Sequence, residues 1–380
     1  MADDVVVLDG TVRSRAPEET WAALEPWLER CGISRVADLT GLDYLGVPVW
    51  TAIRPGALTL TASQGKGATG RLAAISAVME SVELWHAEQE LPVDRVGAAR
   101  ALGLPYPLLS LPLRERHPGL GDVPLEWTTG LGLVSGRRVL VPVDLVQRRV
   151  PSMWRPAVFR ATSTGLACGN SAEEAVLHGV YEVMERHTLH LDEKTGGELR
   201  TVVDPDSVEA PYAAELIERV RAAGVVLELL VVESPYGLPV CLAYLWSEDI
   251  PLWFAGSGCH HDPHIALTRA ITEAAQSRLT CIAGTRDDLP SEEESFAAGQ
   301  ALPPAVGGPS GAAWETLFAD VGGTAGGPLR GRAEGAVRLV EAVTGYEPIM
   351  VTLSEPEAPF TAVKIIAPGA TSRTRRAIPR

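Results

Sequence analysis

Three stretches of this 380-residue chain set a glycine cluster ahead of polar side chains at helical spacing. The first has Ser63, Gly65, Lys66 and Gly67, then Glu80 and Glu83. The second has Ser163, Gly165 and Gly169, then Glu182 and Glu185. The third has Gly256, Ser257 and Gly258, then Glu273 and Gln276. From Gly65, Gly165 and Gly258 the first glutamate follows after 15, 17 and 15 residues. At about 100° per residue, Glu174, Glu182 and Glu185 lie within about 80° of one another, with Asn170 and His178 beside them. Val176, Val180, Val183 and Met184 face the other way, and Ser76, Glu80 and Glu83 share one arc of the earlier helix. Like charges so spaced cost about 0.2–0.5 kcal/mol per pair on an exposed helix, and no lysine relieves the second arc. A solvated acidic face explains a single stripe. Two stripes, each behind glycines, favour carboxylates converging from two helices as a hard-oxygen cage for Mg²⁺, which shares such ligands with phosphate.

Other patterns carry less. Gly65 to Gly70 reads GKGATG after an expected strand and before a helix, the context of a dinucleotide fingerprint, but the required acidic strand end is poorly matched by Asp94. No GxxxxGK[ST] and no HRD or DFG triplet occurs. Cys259, His260, His261 and Asp262 are adjacent, which suits a turn better than a tetrahedral metal site. His187 and His190 lack an HExxH frame and read as core or surface histidines, and Cys168 as a small packed thiol.

The elements that must position these residues follow from periodicity. Helices are expected over 18–31, 71–90, 171–190 and 263–280, and strands over Val47–Ile53, Ala57–Ala62, Leu131–Val134, Val139–Pro142, Val225–Glu233, Pro239–Leu245, Leu252–Gly256, Pro348–Leu353 and Ala362–Ala367. Residues 296–332, rich in Gly, Pro and Ala, read as a long loop with a short helix at 313–318, and 371–380 as a basic tail. Strict strand–helix alternation is missing, so the fold class is α+β. One domain over 1–380 is expected, with approximate subdivisions 1–62, 63–295 and 296–380. A net charge of −15 argues against nucleic acid or an anionic membrane as partner. Five scattered cysteines without a CxxC pair, no signal-peptide pattern and no long apolar run point to a cytoplasmic protein.

At SQGKG (63–67), SAVMESVELWHAE (76–88), STGLACGNSAEEAVLHGVYEVMERH (163–187), GSGCHHDPHIALTRAITEAAQSRLTCIAGTRDDL (256–289) and VKIIAPG (363–369) the chain resembles the YcaO family. The resemblance implies a YcaO-type ATP-binding fold using ATP and Mg²⁺. By it, Glu80, Glu83, Glu174, Glu182 and Glu185 match carboxylates of the metal and nucleotide site, and Asn170 and Arg186 match nucleotide contacts. Ser76 joins them on the glutamate arc, and Lys66, in the expected glycine loop, can meet phosphates together with backbone N–H groups. Arg13, Arg15, Arg278 and Arg286 are further phosphate candidates.

The chemistry implied is activation of a peptide-backbone amide by O-phosphorylation in a ribosomally made peptide or protein. The block CGISRVADLTGLDYLGVPVWTAIRP (31–55) resembles the TfuA-associated, thioamide-forming branch. The chain ends in AIPR without the proline-rich terminus of azoline-forming relatives. Family motifs begin near the N-terminus, so substrate recruitment is expected from a separate TfuA-like or leader-binding partner; a homodimer stays open. Azoline or macroamidine formation, and a non-catalytic peptide-binding scaffold, remain alternatives.

Overall fold

The computed structural model describes residues 5–149, 157–284, 311–319 and 327–372. The chain opens with a hairpin of β1 (Val6–Leu8) and β2 (Thr11–Arg13), then helix α1 (Pro17–Leu24). Strands β3 (Arg35–Asp38), β4 (Val49–Ile53) and β5 (Ala62–Lys66) lead into α2 (Gly70–Glu88). Next come β6 (Arg95–Ala98), β7 (Pro124–Gly132), β8 (Arg138–Pro142), the one-turn α3 (Val143–Val146), β9 (Leu166–Gly169) and α4 (Ala172–Lys194). After β10 (Arg200–Val203) and α5 (Pro211–Ala222) run β11 (Val226–Val232), β12 (Val240–Trp246), β13 (Phe254–Cys259) and α6 (Pro263–Ala283). The short α7 (Trp314–Leu317), α8 (Leu329–Thr344), β14 (Ile349–Thr352) and β15 (Thr361–Ile366) close the chain. The class is α+β.

Among the described residues there are three sheets besides the hairpin, whose pairings are antiparallel: β3-β4-β5, β10-β11-β12-β13, and β6-β7-β14-β15-β9 with β8 added to β7. The C-terminal strands are thus not an appendix, because β15 is what joins β9 to the rest of its sheet. Strand β12 is apolar along its whole length because both its faces are covered. Val240, Leu242 and Tyr244 enter a core with α4 and α8, whereas Cys241, Ala243 and Leu245 enter a second core with α5 and α6.

The three glycine clusters are largely strand, although Gly67 and the Ser163–Gly165 turn lie just outside. Ser63–Lys66 belongs to β5, Gly169 ends β9, and Gly256–Gly258 lies inside β13. Each strand is followed by the helix that packs flat against it: α2, α4 or α6. A Cβ at Gly65 would stand 2.0 Å from Ala77 N, one at Gly169 2.5 Å from Ala175 N, and one at Gly256 2.2 Å from both Ala270 O and Ala274 N. Main chain meets main chain at these points, which only glycine permits. The expectation of glycine loops is therefore corrected at Gly65, Gly169, Gly256 and Gly258, which hold helices against strands, whereas Gly67 stands in the connection between β5 and α2 and lines the cavity.

Other expectations shift for physical reasons. Pro26 ends the first helix early, leaving α1 followed by a 3-10 turn over Glu25–Trp27. The strand expected at Ala57–Ala62 begins only at Ala62. Residues 211–222 and 329–344 form helices that periodicity did not reveal. The second carries Gly331 and Gly335, and it is held by burying Ala333, Ala336, Val337 and Val340 in the core shared with α4. Its first turn falls in the expected 296–332 loop, most of which lies outside the described residues, as does the end of the basic tail. The helix expected at 313–318 is α7. His260 Nδ1 accepts from Asp262 N, and Asp262 caps α6, so this stretch is the expected turn. The five cysteines are free, four of them buried.

Two tests follow from this packing. Gly65→Ala or Gly256→Ala should cost at least about 3 kcal/mol of unfolding free energy, whereas Gly335→Ala, with no atom within 4 Å of the new methyl, should be neutral or slightly stabilising. Equal urea midpoints for the three variants would refute the close-packing account. His187, buried on α4, hydrogen-bonds Tyr236 through Nδ1, and burial, helped by His190, holds its pKa near 4 instead of 6.5. A depressed pKa gives stability that is complete above pH 6.5 and lost as pH falls through 4. The thermal midpoint should drop over that window, and less steeply in His187→Phe; parallel profiles would exclude the histidine as a source.

Candidate functional site

One cavity of about 760 Å³ gathers side chains from the β1–β2 hairpin and from all three strand–helix pairs, within the usual size range of small-molecule sites. Glu80 and Glu83 come from α2, Glu174, Glu182 and Glu185 from α4, and Lys66 from β5. Ser76, Asn170, Arg186, Arg13 and Arg15 line the same space.

Each glutamate is tethered by a donor from another segment or strand. Gln64 N donates to Glu80 (3.2 Å), Cys168 N to Glu83 (2.7 Å), Gly165 N to Glu182 (3.1 Å) and Ser257 Oγ to Glu185 (2.6 Å). Ser14 donates to Glu174 through both N (3.0 Å) and Oγ (2.8 Å), and Asn170 Nδ2 approaches the same carboxylate at 3.3 Å. Strand backbone therefore serves the protein's own carboxylates. Burial pushes the Glu83 carboxyl well above the ordinary range; Cys168 N–H opposes this, and Glu80 and Glu182 add to it. Glu182 is also raised, first by burial, with Arg186 working against the shift and Glu185 with it.

The cations are already engaged. Lys66 Nζ meets Glu273 Oε2 at 3.0 Å, and Arg186 Nε lies 3.8 Å from both Glu182 and Glu185. Burial alone would lower the Arg186 pKa, but Glu185, Glu182 and Glu273 outweigh it and raise it. Burial would raise Glu273; Lys66 and Arg186 reverse that and lower it. Arg13 stands between Glu174 (3.5 Å) and His178 Nε2, and Arg15 Nη1 donates to Pro359 O at 2.8 Å. Burial, then Arg13 and Arg269, hold the His178 ring neutral, well below its usual pKa.

Two of the arginine candidates fare differently. Arg278 is fully buried away from the cavity: Nε meets Asp43 at 3.0 Å, Nη1 donates to Ser247 at 2.7 Å, and Nη2 contacts Tyr44 and Asp249. Five residues past Glu273 on α6 is about 140° around the helix, hence the wrong face. This removes Arg278 from the phosphate candidates, and Arg286 lies outside the described residues. The face that does reach the cavity carries Arg269, Thr272, Glu273 and Gln276. Arg269 was missed, although its spacing of four from Glu273 was a usable signal.

Residues 64–371 match the YcaO cyclodehydratase family, described as ATP- and Mg²⁺-binding. The chain belongs to the YcaO family. It is 39% identical over 373 residues to the uncharacterized protein Rv1375 of Mycobacterium tuberculosis, spanning 95% of this chain and 82% of that one. A Rhizobium leguminosarum bv. trifolii protein from the tfuA 3′ region is 38% identical over 293 residues, 73% of this chain and 69% of the relative. Among solved structures, YcaO from Methanopyrus kandleri, bound with AMPPCP and Mg²⁺, superposes with a TM-score of 0.75 at 23% identity, over 97% of this chain and 95% of that one. A heterocyclase in complex with substrate and cofactor gives 0.74 at 19% identity, over 98% and 55%. These two likenesses carry the fold. No helix among the described residues is long and apolar enough to cross a membrane.

ATP and Mg²⁺ are the cofactors of this YcaO protein, and the cavity fits them. Its donors are carboxylate oxygens, the ligands a hard divalent cation takes. Burial and mutual repulsion leave Glu83 and Glu182 short of positive charge. Among the described residues no metal-binding group of three is already gathered, since each tether draws its carboxylate toward a protein donor. Glu80, Glu83, Glu174, Glu182 and Glu185 are the residues that could hold the cation, and Lys66, Arg186, Arg13 and Arg269 those that could meet phosphate.

Proposed function

We propose that this YcaO protein activates a peptide-backbone amide in a ribosomally made peptide or protein so that a nucleophile replaces the amide oxygen. The observation that carries the reading is the meeting of five tethered glutamates with the cationic side chains of Lys66, Arg13, Arg15, Arg186 and Arg269 in one cavity. ATP supplies a phosphoryl group that turns the amide oxygen into a phosphate leaving group, and Mg²⁺ offsets charge on the phosphates.

The chain's own part is binding and alignment. Glu80, Glu83, Glu174, Glu182 and Glu185 take the cation, while Lys66, Ser76, Asn170, Arg186, Arg13, Arg15 and Arg269 hold the nucleotide. The neutral His178 keeps Arg13 aimed between Glu174 and the cavity. Sulfide is the favoured nucleophile: it adds to the carbonyl carbon, the C–O bond breaks with phosphate leaving, and a thioamide remains. The tfuA-region relative supports this branch and with it a TfuA-like partner that delivers sulfur or substrate. The family's description as cyclodehydratase favours the second reading, in which a Cys, Ser or Thr side chain or an amine of the peptide attacks and a ring forms.

Glu182→Gln and Glu185→Gln should each weaken binding of a non-hydrolysable Mg·ATP analogue by at least tenfold, with thermal midpoints nearly unchanged. An unaltered affinity in fluorescence titration would remove these residues from the cation site. Product mass separates the chemistries: oxygen-to-sulfur exchange adds about 16 Da and cyclodehydration removes about 18 Da. If the protein with peptide and partner releases no phosphate from ATP, the scaffold reading replaces both.

A further inference from the structure

Part of the cavity lining, beyond Glu83 along α2, takes no part in the proposed nucleotide and cation binding. It includes Leu60, Leu84, Leu166, Thr162, Thr164 and Arg148. The three leucines pack together with Ala87 as a small apolar cluster. Hydroxyls stand beside this floor, and one cation overlooks it.

That cation is Arg148, anchored where its main-chain N–H donates to Ala87 O (2.6 Å). Its Nε is shut off from solvent and has no hydrogen-bond partner among the described residues. The carboxylate that attracts it, Glu88, is occupied: Arg54 Nη1 lies at 2.5 Å, and Thr59 donates through N (3.1 Å) and Oγ1 (2.7 Å). The neighbouring cation, Lys364, is also spent, because its Nζ donates to Thr162 O (2.7 Å) and Thr164 O (2.8 Å). A buried N–H without an acceptor is destabilising, and burial lowers the Arg148 pKa. Arg148 lines the cavity while the carboxylate that attracts it is taken, which leaves its guanidinium to an acceptor in the cavity.

Building on the amide-activation reading, we propose that Arg148 binds substrate, donating to a main-chain carbonyl of an extended peptide whose adjacent side chain rests on Leu60, Leu84 and Leu166. A neutral acceptor fits better than an anion, because Glu83 and Glu182 border this end of the cavity. The leucine floor would favour an apolar residue beside that carbonyl.

The test uses members of a random-sequence peptide library chosen because they stimulate phosphate release from Mg·ATP by the full-length wild-type chain supplied with sulfide and a TfuA-like partner. Losing a hydrogen bond from a charged donor corresponds to about a 10- to 100-fold change. Arg148→Gln is expected to raise the KM for peptide by that factor while the KM for ATP stays within about twofold, and Arg148→Lys to fall between. An unchanged peptide KM, or the two KM values rising together, overturns the assignment; the latter would place Arg148 with the nucleotide or the frame. If no peptide stimulates the wild-type chain with sulfide and partner present, amide activation itself fails, an outcome distinct from either of these.

Discussion

Five carboxylates share one cavity, and each is held by a hydrogen bond from its own donor residue: Gln64, Cys168, Gly165, Ser257 and Ser14. Crowded negative charge would otherwise swing apart or take up protons, and burial already drives Glu83 and Glu182 in that direction. The tethers fix the carboxylates around the cavity, each turned toward a protein donor. They exist only because the strands beside α2, α4 and α6 stand close enough to lend N–H and hydroxyl groups. Glycine at 65, 169 and 256 sets that distance. Site chemistry and packing are accordingly one constraint seen from two sides.

A frame of this kind ties distant parts of the sequence together. Tyr44 and Asp43, from the segment before β4, close around Arg278 of α6, fixing the first strand–helix pair to the third. Lys66 and Glu273 make a second link between the same pairs. Strand β15 pairs with β9, supporting the second, while Lys364 on β15 pins the backbone at 162 and 164. The cavity is thus enclosed by elements spread over nearly the whole chain.

The acidic arcs of α2 and α4 were legible because helical spacing converts directly into a shared face. Family resemblance then supplied the cofactors, which spacing alone left as one of two readings. The glycines were legible as positions but not in purpose: sequence shows that a Cβ is missing, not what it would strike. Helix α8 was hidden by Gly331 and Gly335, whose local preference is overridden by burial against α4. Arg278 and Arg269 illustrate the same limit. Both follow the third glycine cluster, and only their angle around α6 sends one into Asp43 and the other into the cavity.

The ion pair between Lys66 and Glu273 bears on discrimination among ligands. A bare anion must take the ammonium away from a carboxylate that stays behind, and then lie beside that carboxylate and its neighbours. Its net gain is the small difference between two attractions. An anion that arrives with its own divalent counter-ion escapes this frustration, since the displaced carboxylates acquire a new positive neighbour in the same event. Internal competition of this kind lets a strongly acidic pocket reject free phosphate and still admit a chelated polyphosphate.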